Sequence, residues 1–378
     1  MFRFAILFLM LSASSFANCF DVRPSSLSIE PKLKLKIEKL IQNTIDSTNL
    51  TSLSILIGTS SKSVYAKAFG YVSKTKPNSL DMIYDLASIT KVFTASALLK
   101  ELESKDIDIS TKMNKLLDPK NTNSLKDKIS IEDLLRHESG FKSGLLNREF
   151  GQNTEESWNN IVNLIPTKKY KRFLYSDINY LLLGKILEKV SSETLHKSIE
   201  RLLLKPLNLE NTYFAPKGVL CGDCAPTSKG QVVMKTHDPT AHKLGGGVGS
   251  AGIFSNLYDL GKFASIFLNK GKFCGKRILS SKQVREMTLK KHNSSRGLGF
   301  DISSAYSNRP RGDYFNLNKS FGHTGYTGTS LWIDPVFDVF VVVLTNSVIN
   351  PKAKKIFLDL NKSISTLIGK SFSNNKSF

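Results

Sequence analysis

Runs with strand character stand at the two ends of this chain and leave a long helical middle between them. Leu53–Ile57 and Val64–Tyr71 come first, and Phe321–Thr324, Thr329–Ile333 and Val339–Thr345 come last. Polar or Gly-containing segments such as Gly58–Ser63 separate the runs, so the first two read as a hairpin. No internal repeat or long linker interrupts the 378 residues, a length that suits one large domain or two closely packed subdomains. The pattern predicts an α/β (α+β) fold: an antiparallel β-sheet assembled from both ends, flanked by helices, with a helix-rich subdomain inserted. The strand-rich parts are expected at about 50–92 and 295–370, and the helix-rich part at about 93–290, within one unit spanning 30–370.

Apolar residues at helical spacing predict helices over Leu35–Ile45, Val92–Leu99, Asn179–Val190, Thr194–Leu204, Asn256–Leu268, Ser280–Leu289 and Pro351–Ile368. Ser157–Ile165 fits a short helix ended by Pro166, while Asp106–Met113 and Ile129–Leu135 fit shorter helical or turn segments. Leu257, Leu260, Phe263 and Phe267 form a stripe that reads as core. The helix from Val92 is expected to pack against the sheet.

The start of the chain addresses it. Met1-Phe2-Arg3-Phe4 leads into a short apolar run ending in Ser15-Phe16-Ala17, the pattern of a secretory signal peptide over 1–17, cleaved after Ala17. The run is too short to span a membrane comfortably. Phe16-Ala17-Asn18-Cys19 also resembles a relaxed lipoprotein box, which would make the signal 1–18 and Cys19 a lipidated membrane anchor. Either route places the protein outside the cytoplasm, in the periplasm or cell envelope. The formal charge of +21 comes from lysines spread along the chain, without an aromatic-interleaved nucleic-acid module, so no nucleic-acid partner is expected. Export permits disulfides, and Cys221 and Cys224 are the close pair; no metal-ligand spacing accompanies them, so no metal is expected. Leu244–Gly252 carries five glycines but lacks the context of a phosphate cradle, and reads as close backbone passage.

The chemistry is carried by three separated stretches. In Asp85-Leu86-Ala87-Ser88-Ile89-Thr90-Lys91, Lys91 falls one helical turn after Ser88 and on the same side. A hydroxyl beside an amine whose pKa is lowered by desolvation is a workable nucleophile. Tyr175-Ser176-Asp177 opens the helix that runs through Leu181, and a tyrosine near Lys91 can exchange a proton with Ser88. Gly322-His323-Thr324-Gly325-Tyr326 ends in a Gly-rich turn whose edge can hydrogen-bond an acyl substrate. His137, before the turn at Gly140, reads as a histidine that shapes that turn.

Together, Ser88-x-x-Lys91, Tyr175-x-Asp177 and His323-Thr324-Gly325 resemble the three signatures of the serine β-lactamase and penicillin-binding-protein superfamily, in its class C-like branch. Leu134–Gly140, Thr236-His237-Asp238-Pro239, Gly245–Ser255 and Gly322–Pro335 agree with it as well. The resemblance implies Ser88 as the acylated nucleophile, Lys91 and Tyr175 as the proton-transfer pair, and Asp177, His323, Thr324 and Gly325 as substrate-binding residues. It also implies an oxyanion hole made by the backbone N–H groups of Ser88 and Tyr326, and no cofactor. Asp177 stands where Asn is common and His323 where Lys is common, so a pH-dependent charge is expected at His323. The implied function is an exported serine hydrolase working through an acyl-enzyme. It would act on cell-wall peptides as a D-Ala-D-Ala carboxypeptidase or D-aminopeptidase. Carboxylesterase, weak β-lactamase and a peptidoglycan-binding or β-lactam-sensing protein are the alternatives.

Overall fold

The computed structural model describes residues 19–23, 29–48, 50–118, 125–214, 223–229, 235–291 and 294–374. The expected signal peptide and Cys221 lie outside the described residues.

The main sheet has five antiparallel strands: β1 Ser52–Gly58, β2 Ser63–Gly70, β3 Phe321–Gly325, β4 Thr329–Asp334 and β5 Val339–Leu344, in the spatial order β2-β1-β5-β4-β3. The two ends of the chain meet where β1 pairs with β5, Ser54 opposite Leu344 and Gly58 opposite Phe340. Period-2 alternation sends side chains to both faces, and both are buried. Leu53, Ile55 and Ile57 with Val339, Val341 and Val343 face one way, onto the helices α1 (Pro31–Ser47) and α5 (Pro351–Asn374), which contribute Leu33, Ile37, Phe357 and Ile364. Leu56, Phe340, Val342 and Leu344 face the helix-rich middle, which includes α2 (Thr90–Ser104), α3 (Asp177–Ser191) and α4 (Leu257–Leu268). The near-continuous apolar sequence of β5 follows from burial on both faces.

Local signals set the helix ends. Pro31 opens α1 at a position where its missing N–H costs nothing, which extends the helix one turn before the expected Leu35. Asn256 accepts the N–H of Asp259 at 2.9 Å and caps α4. Asn153 caps a helix over Thr154–Val162, so the expected Ser157–Ile165 segment starts and stops three residues early. α2 does not pack mainly on the sheet. Its chief neighbour is α3, and its Phe93 stacks on Phe263 of α4 at 4.0 Å between ring centroids. It is α4 that lies on β1 and β5.

A second, smaller sheet joins Tyr84–Asp85, Ile253–Ser255 and Tyr213–Phe214. Strands of two or three residues leave no periodicity to read, and the sequence gives no sign of them.

Cys19 is disulfide-bonded to Cys274, 255 residues away in sequence. This corrects the expectation of lipidation, because the thioether would need the sulfur that the disulfide uses. The segment continues through the buried Phe20 to Asp21, which pairs with the turn between β1 and β2: its N–H donates to Ser61 at 3.0 Å and its carbonyl accepts from Ser63 at 2.9 Å.

Candidate active site

The residues before Ser88 form an unusual approach. Asp85 ends a two-residue strand, Leu86 donates its N–H to Ile253 at 2.9 Å, and Ala87 takes a φ of +46°. Ala87–Ile89 is a 3₁₀ turn leading into α2, so Ser88 stands just ahead of the helix N-terminus. One turn on, the fully buried Lys91 donates from Nζ to Ser88 Oγ at 3.0 Å and to the Ser250 carbonyl at 2.8 Å, and its Nζ lies 2.7 Å from Asp177 Oδ1.

Ser250 belongs to the glycine-rich stretch, and the close backbone passage expected there is present. A Cβ on Gly249 would collide with the Tyr180 carbonyl oxygen of α3. This close approach seats the Gly249 carbonyl on the Thr94 hydroxyl at 2.9 Å and the next carbonyl on Lys91. The glycines therefore serve the lysine.

Burial by itself pulls the Lys91 ammonium toward lower pKa. The charges and hydrogen bonds of Asp177 and Tyr175 outweigh it, and the net shift is upward. This corrects the expectation of a desolvated, lowered lysine. Asp177 is the first residue of α3, where a carboxylate also meets the positive end of the helix dipole. Its charge is balanced by Lys91 rather than presented to substrate alone.

His323 differs from expectation too. Its Nδ1 bonds the Thr324 carbonyl at 2.8 Å, which makes Nδ1 the protonated nitrogen of the neutral ring. Burial, with the nearby charges of Arg296 and Lys91, pushes its pKa well below the usual imidazole value. His323 is neutral at physiological pH and contributes an unprotonated Nε2. His137 is likewise pushed well below its usual value by burial, Arg296 and Lys91. It accepts the Ser176 N–H at Nδ1 (3.1 Å), with φ +60°, in keeping with a turn-shaping role.

Ser88, Tyr175, His323, Thr324, Gly325 and Tyr326 line one cleft of about 310 Å³. The turn after β3 is drawn onto the residues before Ser88 by two hydroxyls, Thr327 donating to the Asp85 carbonyl at 2.7 Å and Thr329 to the Leu86 carbonyl at 3.1 Å. Gly325 is needed there, since a Cβ would collide with the Leu86 carbonyl oxygen. Cys19 is held elsewhere by its disulfide, and Cys224 sits in the small cluster with Ile83 and Phe254.

The cleft also contains residues that the sequence did not single out. Arg296 is fully buried, with its guanidinium 5.6 Å from the Tyr175 ring centroid and 3.7 Å from Asp301 Oδ1. Its Nε and Nη2 have no hydrogen-bond partner among the described residues. Tyr306, Lys354, Phe357 and Leu358 form the rest of the wall. Arg296 stands in a loop without a motif, and only its burial marks it.

A family model described as Beta-lactamase matches residues 37–359. A protein of Salmonella gallinarum named "Putative D-alanyl-D-alanine carboxypeptidase" is 28% identical over 400 residues, covering 92% of this chain and 92% of its own. Among solved structures, EstCE1, a hydrolase with promiscuous acyltransferase activity, superposes with a TM-score of 0.69 at 19% identity, over 88% of this chain and 98% of its own. The octameric penicillin-binding protein homologue from Pyrococcus abyssi gives 0.68 at 24% identity, over 89% and 77%.

Proposed function

Because the chain belongs to the beta-lactamase and penicillin-binding-protein superfamily of serine hydrolases, we propose that it removes the terminal residue of D-Ala-D-Ala-type cell-wall peptides. One observation carries the choice of substrate. Arg296 is a buried cation lining the Ser88 cleft with two N–H groups unpartnered among the described residues. A buried cation with free donors is costly unless an anion completes it, and a peptide C-terminal carboxylate would do so. An exopeptidase needs such a group.

In this reading Ser88 Oγ bonds to the penultimate carbonyl carbon. Lys91, held as an ammonium by Asp177, donates to Oγ and does not take the proton, which leaves the Tyr175 hydroxyl oxygen beside it to accept the proton from Ser88. The C–N bond breaks and that proton passes to the leaving D-alanine amine. Water then adds to the acyl-enzyme, the Oγ–C bond breaks, and Ser88 regains its proton. The N–H groups of Ser88 and Tyr326 bind the developing oxyanion. His323 Nε2, Thr324 and Gly325 line the substrate edge. The signal-like start, ending at Ala17, supports export to the compartment where such peptides occur.

An ester substrate is the second reading, favoured by the neutral His323 and by the apolar wall of Tyr306, Phe357 and Leu358. The two separate on D-alanine release from a peptide ending in D-Ala-D-Ala, compared with its C-terminal amide. The carboxypeptidase reading expects strong preference for the free acid, and an Arg296→Gln variant that loses this preference by raising KM about tenfold or more. Equal turnover of acid and amide, or faster turnover of simple esters, would assign the cleft to an esterase.

A further inference from the structure

Asp85 opens the stretch that carries Ser88, yet no step of acylation uses it. Its side chain is buried and has no ion-pair partner among the described residues. Oδ1 accepts the N–H of Ala87 at 2.8 Å, and Oδ2 accepts the N–H of His237 at 2.7 Å. The first bond holds Ala87 in the left-handed region, which a residue with a Cβ resists. The second fixes a loop whose His237 ring stacks on Tyr326, with centroids 5.6 Å apart and planes 13° from parallel. The Asp85 carbonyl is the oxygen that takes the Thr327 hydroxyl. One residue thus touches the element before Ser88, the loop behind Tyr326 and the turn that contains it.

We propose that Asp85 is the positioning residue of the oxyanion hole, its ionised carboxylate fixing the Ser88 and Tyr326 N–H groups relative to each other by tying Ala87 to the His237 loop. The inference rests on the reading of Ser88 as the acylated nucleophile. Only a carboxylate fits both bonds, because it accepts on two oxygens. An asparagine there would turn an NH₂ toward one of the two N–H donors.

The arrangement carries a pH signature. Burial pushes the Asp85 carboxyl up to about 6, against the pull of the N–H groups of His237 and Ala87, with the like charge of Asp238 adding to the rise. A protonated carboxyl loses one of its two ties, so acylation should rise as pH increases through about 6. The share of stability that Asp85 itself contributes, read as wild type minus Asp85→Asn, moves the other way. A carboxyl whose folded pKa lies above its unfolded value favours the fold most at low pH, and that contribution is lost as pH rises through about 6. The other titratable groups on this face are Asp238, pushed up by burial, the His237 imidazole, pushed down by burial, and Lys354, which lies over the Tyr326 ring. Lys91 and Asp177 act on Asp238 from the nucleophile side.

The test is the acylation rate of the mature protein by a fluorescent penicillin or an activated ester from pH 5 to 8, with thermal stability over the same range. Wild type, Asp85→Asn, Ala87→Gly, the double variant and Ser88→Ala are compared. Asp85→Asn is expected to acylate about tenfold to a hundredfold more slowly with KM little changed, and to lose the limb near pH 6. Ala87→Gly should restore part of the rate in the double variant, because glycine enters the left-handed region freely. An Asp85→Asn protein that acylates at the wild-type rate, or keeps the limb, would overturn the proposal. If Asp85→Asn does not fold, wild type decides: an acylation rate that stays flat from pH 5 to 8 would overturn it. Wild-type labelling of Ser88→Ala would instead remove the nucleophile reading beneath.

Discussion

Lys91 shows how a charge state is set by neighbours that are remote in sequence. The spacing from Ser88 places its amine correctly, but Asp177 and the Ser250 carbonyl decide that it is an ammonium. Lys91→Ala should therefore slow acylation by about 10²- to 10⁴-fold, measured by stopped-flow or quenched labelling, through loss of the donor to Oγ and of the cation beside Tyr175. Because the pKa of Lys91 is raised, its folded-state advantage is fully present below the ordinary lysine pKa and disappears only in strong alkali. Stability should thus show no lysine-dependent fall between pH 7 and 9. His323 gives a matching expectation: with its pKa held well below the ordinary range, His323→Gln should leave the shape of the pH–rate curve between 6.5 and 8 unchanged, whatever it does to KM. Ser88, Lys91, Tyr175 and the His-Thr-Gly edge stand out in the sequence as motifs, and the fold brings them together. The protonation of Lys91 and His323 was not legible, since Asp177 and Arg296 reach them only through the fold.

At the scale of elements, the loops hold more of the site than the helices do. Gly249→Ala would force the loop away from Tyr180, moving the Ser250 carbonyl off Lys91. We expect a loss of about 1–3 kcal/mol in chemical unfolding together with slower acylation. Asn256→Ala is the control in a different place: it removes the α4 cap and should cost about 0.5–2 kcal/mol while leaving the acylation rate unchanged. Helices with an apolar stripe could be read to within a turn, as α3 and the Asn256-capped α4 were. The small sheet that carries Asp85 could not, because its pairing of two- and three-residue strands is decided by long-range contacts alone.

Across the whole molecule, the sheet closes only when β1 from one end meets β5 from the other, so the fold depends on contacts between distant parts of the chain. The patterning of the ends made this closure legible, while the Cys19–Cys274 link was not, since nothing local joins the two cysteines. Cys19→Ser with Cys274→Ser should lower stability by about 2–4 kcal/mol in urea unfolding with little change in turnover, the link being far from the cleft in sequence and function. Among the described residues no helix is long and apolar enough to cross a membrane.

The central claim is that Ser88 forms the acyl-enzyme in a cleft built by Lys91, Tyr175 and the turn after β3. An intact-mass time course of the mature protein with a penicillin, run beside Ser88→Ala, tests it most directly. The expected result is one added penicillin mass on the wild-type chain, mapped to the peptide containing Ser88, and no addition to the folded variant. An adduct of equal yield on Ser88→Ala, or one mapped to another residue, would contradict it.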